Sequence, residues 1–193
     1  TREEAFLLLN EYTKSASLLK HALTVEAAMK WYADYFKQDE SEKVKWQITG
    51  LIHDFDYEKY PTADPIDGHP FKGNKILEEL GYDKEIREAV MGHALYTGVP
   101  RITLMAKTLF AVDELSGLIV ASALVRPDKS LQNVEIKSVM KKMKDKAFAR
   151  GCNREDIKLG AEELGIPLEE HTGNVLKALQ AVSYTHLRAH ETG

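Results

Sequence analysis

The chain has 193 residues, a formal net charge of −4 and 44% hydrophobic residues. That length suits one domain with a full core, and the mild acidity excludes a general attraction to nucleic acid or to membranes. The single cysteine, Cys152, excludes an internal disulfide framework and fits a reducing cytoplasm. The apolar run Ala5–Leu9 is too short and too acidic in its flank for a secretory signal. The longest apolar stretch, Leu118 to Val125, falls far below the ~20 residues that span a bilayer.

Nearly every segment carries a helical period, and no alternating strand is legible. Helices are expected over 2–11, 15–37, about 41–53, 70–80, 83–93, 101–122, 132–146, 153–165 and 167–182. Ser15 or Ser17, Asp83 and Asn153 are suited to N-caps, Gly81 to a C-terminal stop, and Pro167 to opening the last helix. Pro61, Pro65 and Gly68 mark a loop from Phe55 to His69, and Arg126-Pro127 breaks the most apolar helix. The fold class is therefore all-α, an orthogonal bundle of about eight or nine helices in one domain over 1–181. The tail from Val182 to Gly193 carries no apolar face that continues the last helix. It is similar to translated adapter read-through and is set aside as non-native, with His186 and His190.

His53 and Asp54 stand side by side where an apolar helical run ends, in Leu51-Ile52-His53-Asp54-Phe55-Asp56. An imidazole nitrogen and a carboxylate can both bind a divalent metal. Adjacent helical residues point about 100° apart, so the pair needs partners converging from other helices. His21, His69, His93 and Asp113 are candidates. Each alone has an ordinary reading: a core histidine at 21 or 53, a helix-end carboxylate at 54, a loop histidine at 69, a histidine on a helix C-terminal dipole at 93, a buried ion pair at 113. Together, four histidines and two carboxylates suffice for two metals sharing one bridging carboxylate. That nitrogen and oxygen set favours Mn, Fe, Co, Ni or Zn over Mg or Ca. Spacing alone does not choose between Asp113 and Glu114.

The order His21, His53-Asp54, Asp113 resembles the HD superfamily of metal-dependent phosphohydrolases. His69, in Gly68-His-Pro-Phe-Lys-Gly73, and His93, in Ala89-Val-Met-Gly-His93, resemble the added ligands of its two-metal members. The resemblance runs from about His21 to Val125. The stretches His53 to Pro61, Tyr96 to Arg101 and Leu104 to Leu118 look like a group of stand-alone HD proteins known mainly as predicted hydrolases. The histidine layout is also similar to that of bacterial HD enzymes that split diadenosine tetraphosphate. The resemblance implies that His21, His53, Asp54 and Asp113 hold a first metal, so Asp113 rather than Glu114. It implies that Asp54 bridges to a second metal held by His69 and His93, and that His53 and Asp54 are the catalytic pair. The chain lacks a Gly-Tyr-Pro motif and has Phe55-Asp56 after the His-Asp pair, which leaves the substrate open.

The expected activity is hydrolysis of a phosphoester or phosphoanhydride in a small metabolite such as a nucleotide, with no nucleic-acid or membrane partner. The alternative implied by the same ligand set is a di-iron oxygenase acting on a polyol or phosphonate. Lys59, Lys72, Arg101 and Arg126 are the candidate phosphate contacts. Asp56, Glu58 and Lys59 are expected to line the mouth, and Tyr57, Tyr96 and Phe71 are suited to stack a base. The basic run from Lys137 to Arg150 reads either as a solvated face or as a polyphosphate contact.

Overall fold

The computed structural model describes residues 1–182. Nine α-helices lie in this region: α1 (Arg2–Tyr12), α2 (Ala16–Tyr35), α3 (Glu40–Ile52), α4 (Phe71–Glu79), α5 (Lys84–Gly92), α6 (Leu104–Leu124), α7 (Ile136–Met143), α8 (Arg154–Leu164) and α9 (Leu168–Val182). Single 3₁₀ turns stand at Leu95–Thr97 and Leu131–Asn133, and no strand occurs among the described residues. The fold is all-α, as the helical period predicts. No helix among the described residues is long and apolar enough to cross a membrane.

Several caps are those the sequence suggests. The side chains of Ser15, Asp83 and Asn153 accept from backbone amides in the first turns of α2, α5 and α8. Gly81 follows α4 with φ +83°. Two helices depart most from expectation. α6 begins at Leu104, not 101, because Thr103 is its N-cap and accepts from the amide of Ala106. α7 spans only Ile136–Met143 rather than 132–146, and a 3₁₀ turn, Leu131–Asn133, stands where its start is expected. α9 ends at Val182, where the last helix is expected to end; the tail beyond it, with His186 and His190, lies outside the described residues.

α2 lies against α3, α6 and α9, and α6 lies against α5 and α8 as well. α6 is apolar around most of its circumference because it is buried on most sides, from Met105 to Ala123. Met29, Tyr32, Trp46, Leu51, Ile52, Phe55, Leu109, Leu115 and Val175 are fully buried in the shared core. α2 and α3 approach closely at Gly50. A Cβ there would meet the Val25 carbonyl oxygen and the Glu26 Cα at 3.0 Å, so a larger residue would push the helices apart. That approach brings His21 on α2 beside His53 at the end of α3.

His171 is a satisfied core histidine. Its Nδ1 accepts from the Tyr32 hydroxyl at 2.5 Å and its Nε2 donates to the Ala111 carbonyl at 2.7 Å, tying α9 to α2 and α6. The Arg2 guanidinium holds the buried Glu26 carboxylate with two bonds, at 2.8 and 2.9 Å, and fastens α1 to α2.

Candidate metal centre

The six residues that the sequence singles out converge. His21 comes from the second turn of α2, His53 caps α3, His93 caps α5, and Asp113 projects from the middle of α6. Asp54 and His69 bound the connection between α3 and α4. Two donor groups form: His21, His53, Asp54 and Asp113 in one, Asp54, His69 and His93 in the other. Asp54 belongs to both, and its two oxygens divide the work. Oδ1 lies 3.1 Å from Nε2 of His69 and 3.1 Å from Nε2 of His93. Oδ2 lies 3.4 Å from Nε2 of His53 and 3.7 Å from Nε2 of His21. Asp113 closes the first group, with Oδ1 at 2.9 Å from His21 and 3.1 Å from His53.

Three of the imidazoles are oriented by what their other nitrogen touches. Nδ1 of His53 lies 2.7 Å from the Gly50 carbonyl oxygen, Nδ1 of His93 bonds the Val90 carbonyl oxygen, and Nδ1 of His69 lies 2.6 Å from Oδ1 of Asp56. All three partners are acceptors, so each Nδ1 carries the hydrogen and each Nε2 turns a lone pair inward. Inward lone pairs facing carboxylate oxygens at ~3 Å repel unless a positive centre stands between them, either a proton or a cation. Donors bound at ~2.1 Å to one ion stand ~3.0 Å apart at right angles and ~3.4 Å apart in a tetrahedron. The observed separations of 2.9–3.7 Å fit that spacing. The residues present therefore fit divalent metal.

The electrostatics describe the same field. Burial works against a charge on His53, but Asp54 and Asp113 outweigh it and hold its pKa well above 6.5. Burial likewise opposes ionisation of Asp54 and Asp113. The imidazoles win, and both carboxylates are held below the usual range. His69, disfavoured by burial but bonded to Asp54 and Asp56, is raised to about 9. Glu114 points elsewhere. Its Oε2 accepts from the Asn153 amide at 3.3 Å, and burial with the charge of Asp113 lifts its pKa to about 7. The geometry thus separates two carboxylates that spacing alone leaves equivalent.

The neighbours differ from expectation in informative ways. Asp56, expected at the mouth, is 1% exposed; it accepts from His69 and, through Oδ2, from the Gly73 amide at 2.8 Å. Glu58 accepts from the amides of Lys14 and Ser15 at 2.7 and 2.9 Å, and so fixes the entry to α2. Tyr96 donates its hydroxyl to the His69 carbonyl oxygen at 2.5 Å, and Tyr57 packs edge-on to the His69 ring. Among the phosphate candidates, Lys59 lies over the Tyr12 ring and Lys72 over the Tyr60 ring, with Asp67 at 3.9 Å. Arg126 pairs with Asp128 at the surface. Arg101 is engaged: it holds Glu163 with two bonds at 2.6 and 2.7 Å, donates to the Gly92 carbonyl at 2.8 Å, and stacks over Phe110. Its guanidinium fastens Gly92, the residue before His93.

The model of the HD domain family matches residues 18–118, a span that contains all six convergent residues. No curated protein and no solved structure matches the chain. The family is broadly one of metal-dependent phosphohydrolase activity. With its helical fold and its paired histidine and aspartate donors in place, the chain belongs to the HD domain family.

Proposed function

We propose that the protein hydrolyses a phosphoester or phosphoanhydride in a small metabolite, with nucleotides the leading class, at a centre of two divalent transition metals. The observation that carries this reading is the division of Asp54: one oxygen faces His69 and His93, the other His21 and His53. The metals would be Mn, Fe, Co, Ni or Zn, which suit mixed imidazole and carboxylate donors. Bound there, such a pair supplies a water acidified from ~15.7 toward ~7 and a counter-charge for phosphoryl oxygens.

The chain's own residues do the remaining work. Asp54 bridges the two donor groups and sets their separation. Gly50, Val90 and Asp56 hold three imidazoles in the tautomer that turns Nε2 inward. Lys59, Lys72 and Arg126 are the cations proposed to meet substrate phosphate, and Lys72 lies in the first turn of α4, three residues after His69. Positioning and charge neutralisation are most of what in-line phosphoryl transfer asks of a protein.

The test uses untagged protein loaded with each metal in turn under argon, and a panel of phosphomonoesters, nucleotides and diadenosine tetraphosphate. Release of phosphate or nucleotide is expected, with Asp54→Ala at least ~1,000-fold slower, the scale on which loss of a central electrostatic group acts. Release unchanged in Asp54→Ala, or turnover that requires oxygen, would refute the proposal.

A further inference from the structure

A second charged site lies outside the metal centre. Residues 137–154 hold seven cations against one carboxylate, Asp145, in a chain whose net charge is −4. This run does not form a flat face. It wraps a cavity of about 770 Å³ between the end of α7, the 144–153 connection and the start of α8. Lys144, Lys146, Arg150, Arg154 and Lys158 line it together with one carboxylate, Glu155, and none of the six convergent metal-centre residues does.

The connection is built from within. Arg154 donates to six backbone carbonyls, those of Lys142, Met143, Asp145, Phe148, Ala149 and Cys152, at 2.5–3.2 Å. Its N–H donors are taken up in ordering the loop. Asp145 is likewise occupied, accepting from the Ala147 amide. Lys158 has Glu155 at 3.8 Å. Among the described residues, Lys144, Lys146 and Arg150 form no ion pair. Three cations that form no ion pair therefore stand on an ordered loop around a concave space of small-molecule size, whose one lining carboxylate, Glu155, lies 3.8 Å from Lys158. Loop ordering of this kind lowers the entropic cost of binding, and ligand cavities commonly measure ~300–1,000 Å³.

The geometry points to an anion site in this cavity that takes a small molecule carrying two or more linked phosphates. Cations clustered in excess over carboxylates favour multiple negative charge over a single carboxylate. The concavity favours a compact ligand over the extended backbone of a nucleic acid.

The probe is methylenediphosphonate, which resists hydrolysis, titrated calorimetrically into the untagged full chain at low and moderate salt. Lys146→Ala/Arg150→Ala should bind at least ~10-fold more weakly, and Lys144→Glu should weaken binding as well. Asp54→Ala should retain the site, and Lys30→Ala/Lys84→Ala, which removes the same charge elsewhere, should bind as the parent does. Circular dichroism verifies that each variant is folded. Four results would overturn the assignment: no binding by the parent chain, loss in Asp54→Ala but not in the Lys146/Arg150 variant, equal weakening by the control pair, or tighter binding of a single-stranded oligonucleotide than of the diphosphonate.

Discussion

Nδ1 of His69 lies 2.6 Å from Oδ1 of Asp56, and the other oxygen of that buried carboxylate is held by the Gly73 amide at 2.8 Å. Asp56 therefore acts on the centre without facing it, by fixing the ring whose Nε2 meets Asp54. Asp56→Asn can keep only one of its two accepting oxygens, so either His69 or Gly73 loses its partner. Metal affinity is expected to fall ~10–100-fold, read by metal titration. Gly73→Ala should act similarly with Asp56 untouched, because a Cβ there would stand 2.6 Å from Oδ2. Affinity unchanged in both variants would contradict the orienting role.

The raised pKa of His69 gives a pH dependence with a definite sign. Its folded value of about 9 lies above the ordinary 6.5. Folding then favours the proton, so this stabilisation is fully present below pH 6.5 and is lost as pH rises through about 9. In chelator-treated protein the melting temperature should fall across that window. In metal-saturated protein this decline should vanish, since a bound cation takes the proton's place, and metal affinity should rise over the same range. A parallel decline with and without metal would count against cations at His69.

Arg101 separates a structural reading from a substrate-binding one. Its bidentate pair with Glu163 and its bond to the Gly92 carbonyl cannot be reproduced by an ammonium group. Arg101→Lys is expected to cost ~2–4 kcal/mol in chemical denaturation, as loss of a largely buried, hydrogen-bonded pair does, and to change KM for a phosphorylated substrate little. Unchanged stability with a tenfold higher KM would return Arg101 to the phosphate contacts.

These residues also show what the sequence makes legible. Helix-starting side chains such as Ser15, Asp83 and Asn153 act within three residues of themselves, so local pattern reveals them. The six convergent donors are legible because metal-binding residue types stand out in apolar surroundings and their order matches a known family. Asp56 looks like one more charged residue beside Glu58 and Lys59. Its burial depends on His69 and Gly73 folding back over it, 13 and 17 residues later. Arg101 is committed to a glutamate 62 residues downstream, a pairing no local period contains. The helical period puts the start of α6 three residues early because a helix buried on most sides offers no polar stripe to frame it.

The most direct test of the account is anomalous diffraction, recorded at the metal's absorption edge, from crystals of untagged protein grown with Mn or Ni. Two peaks are expected, ~3.5–4 Å apart as in two-metal hydrolytic centres, one among His21, His53, Asp54 and Asp113 and one among Asp54, His69 and His93. Full metal loading with no anomalous peak at either group would contradict it.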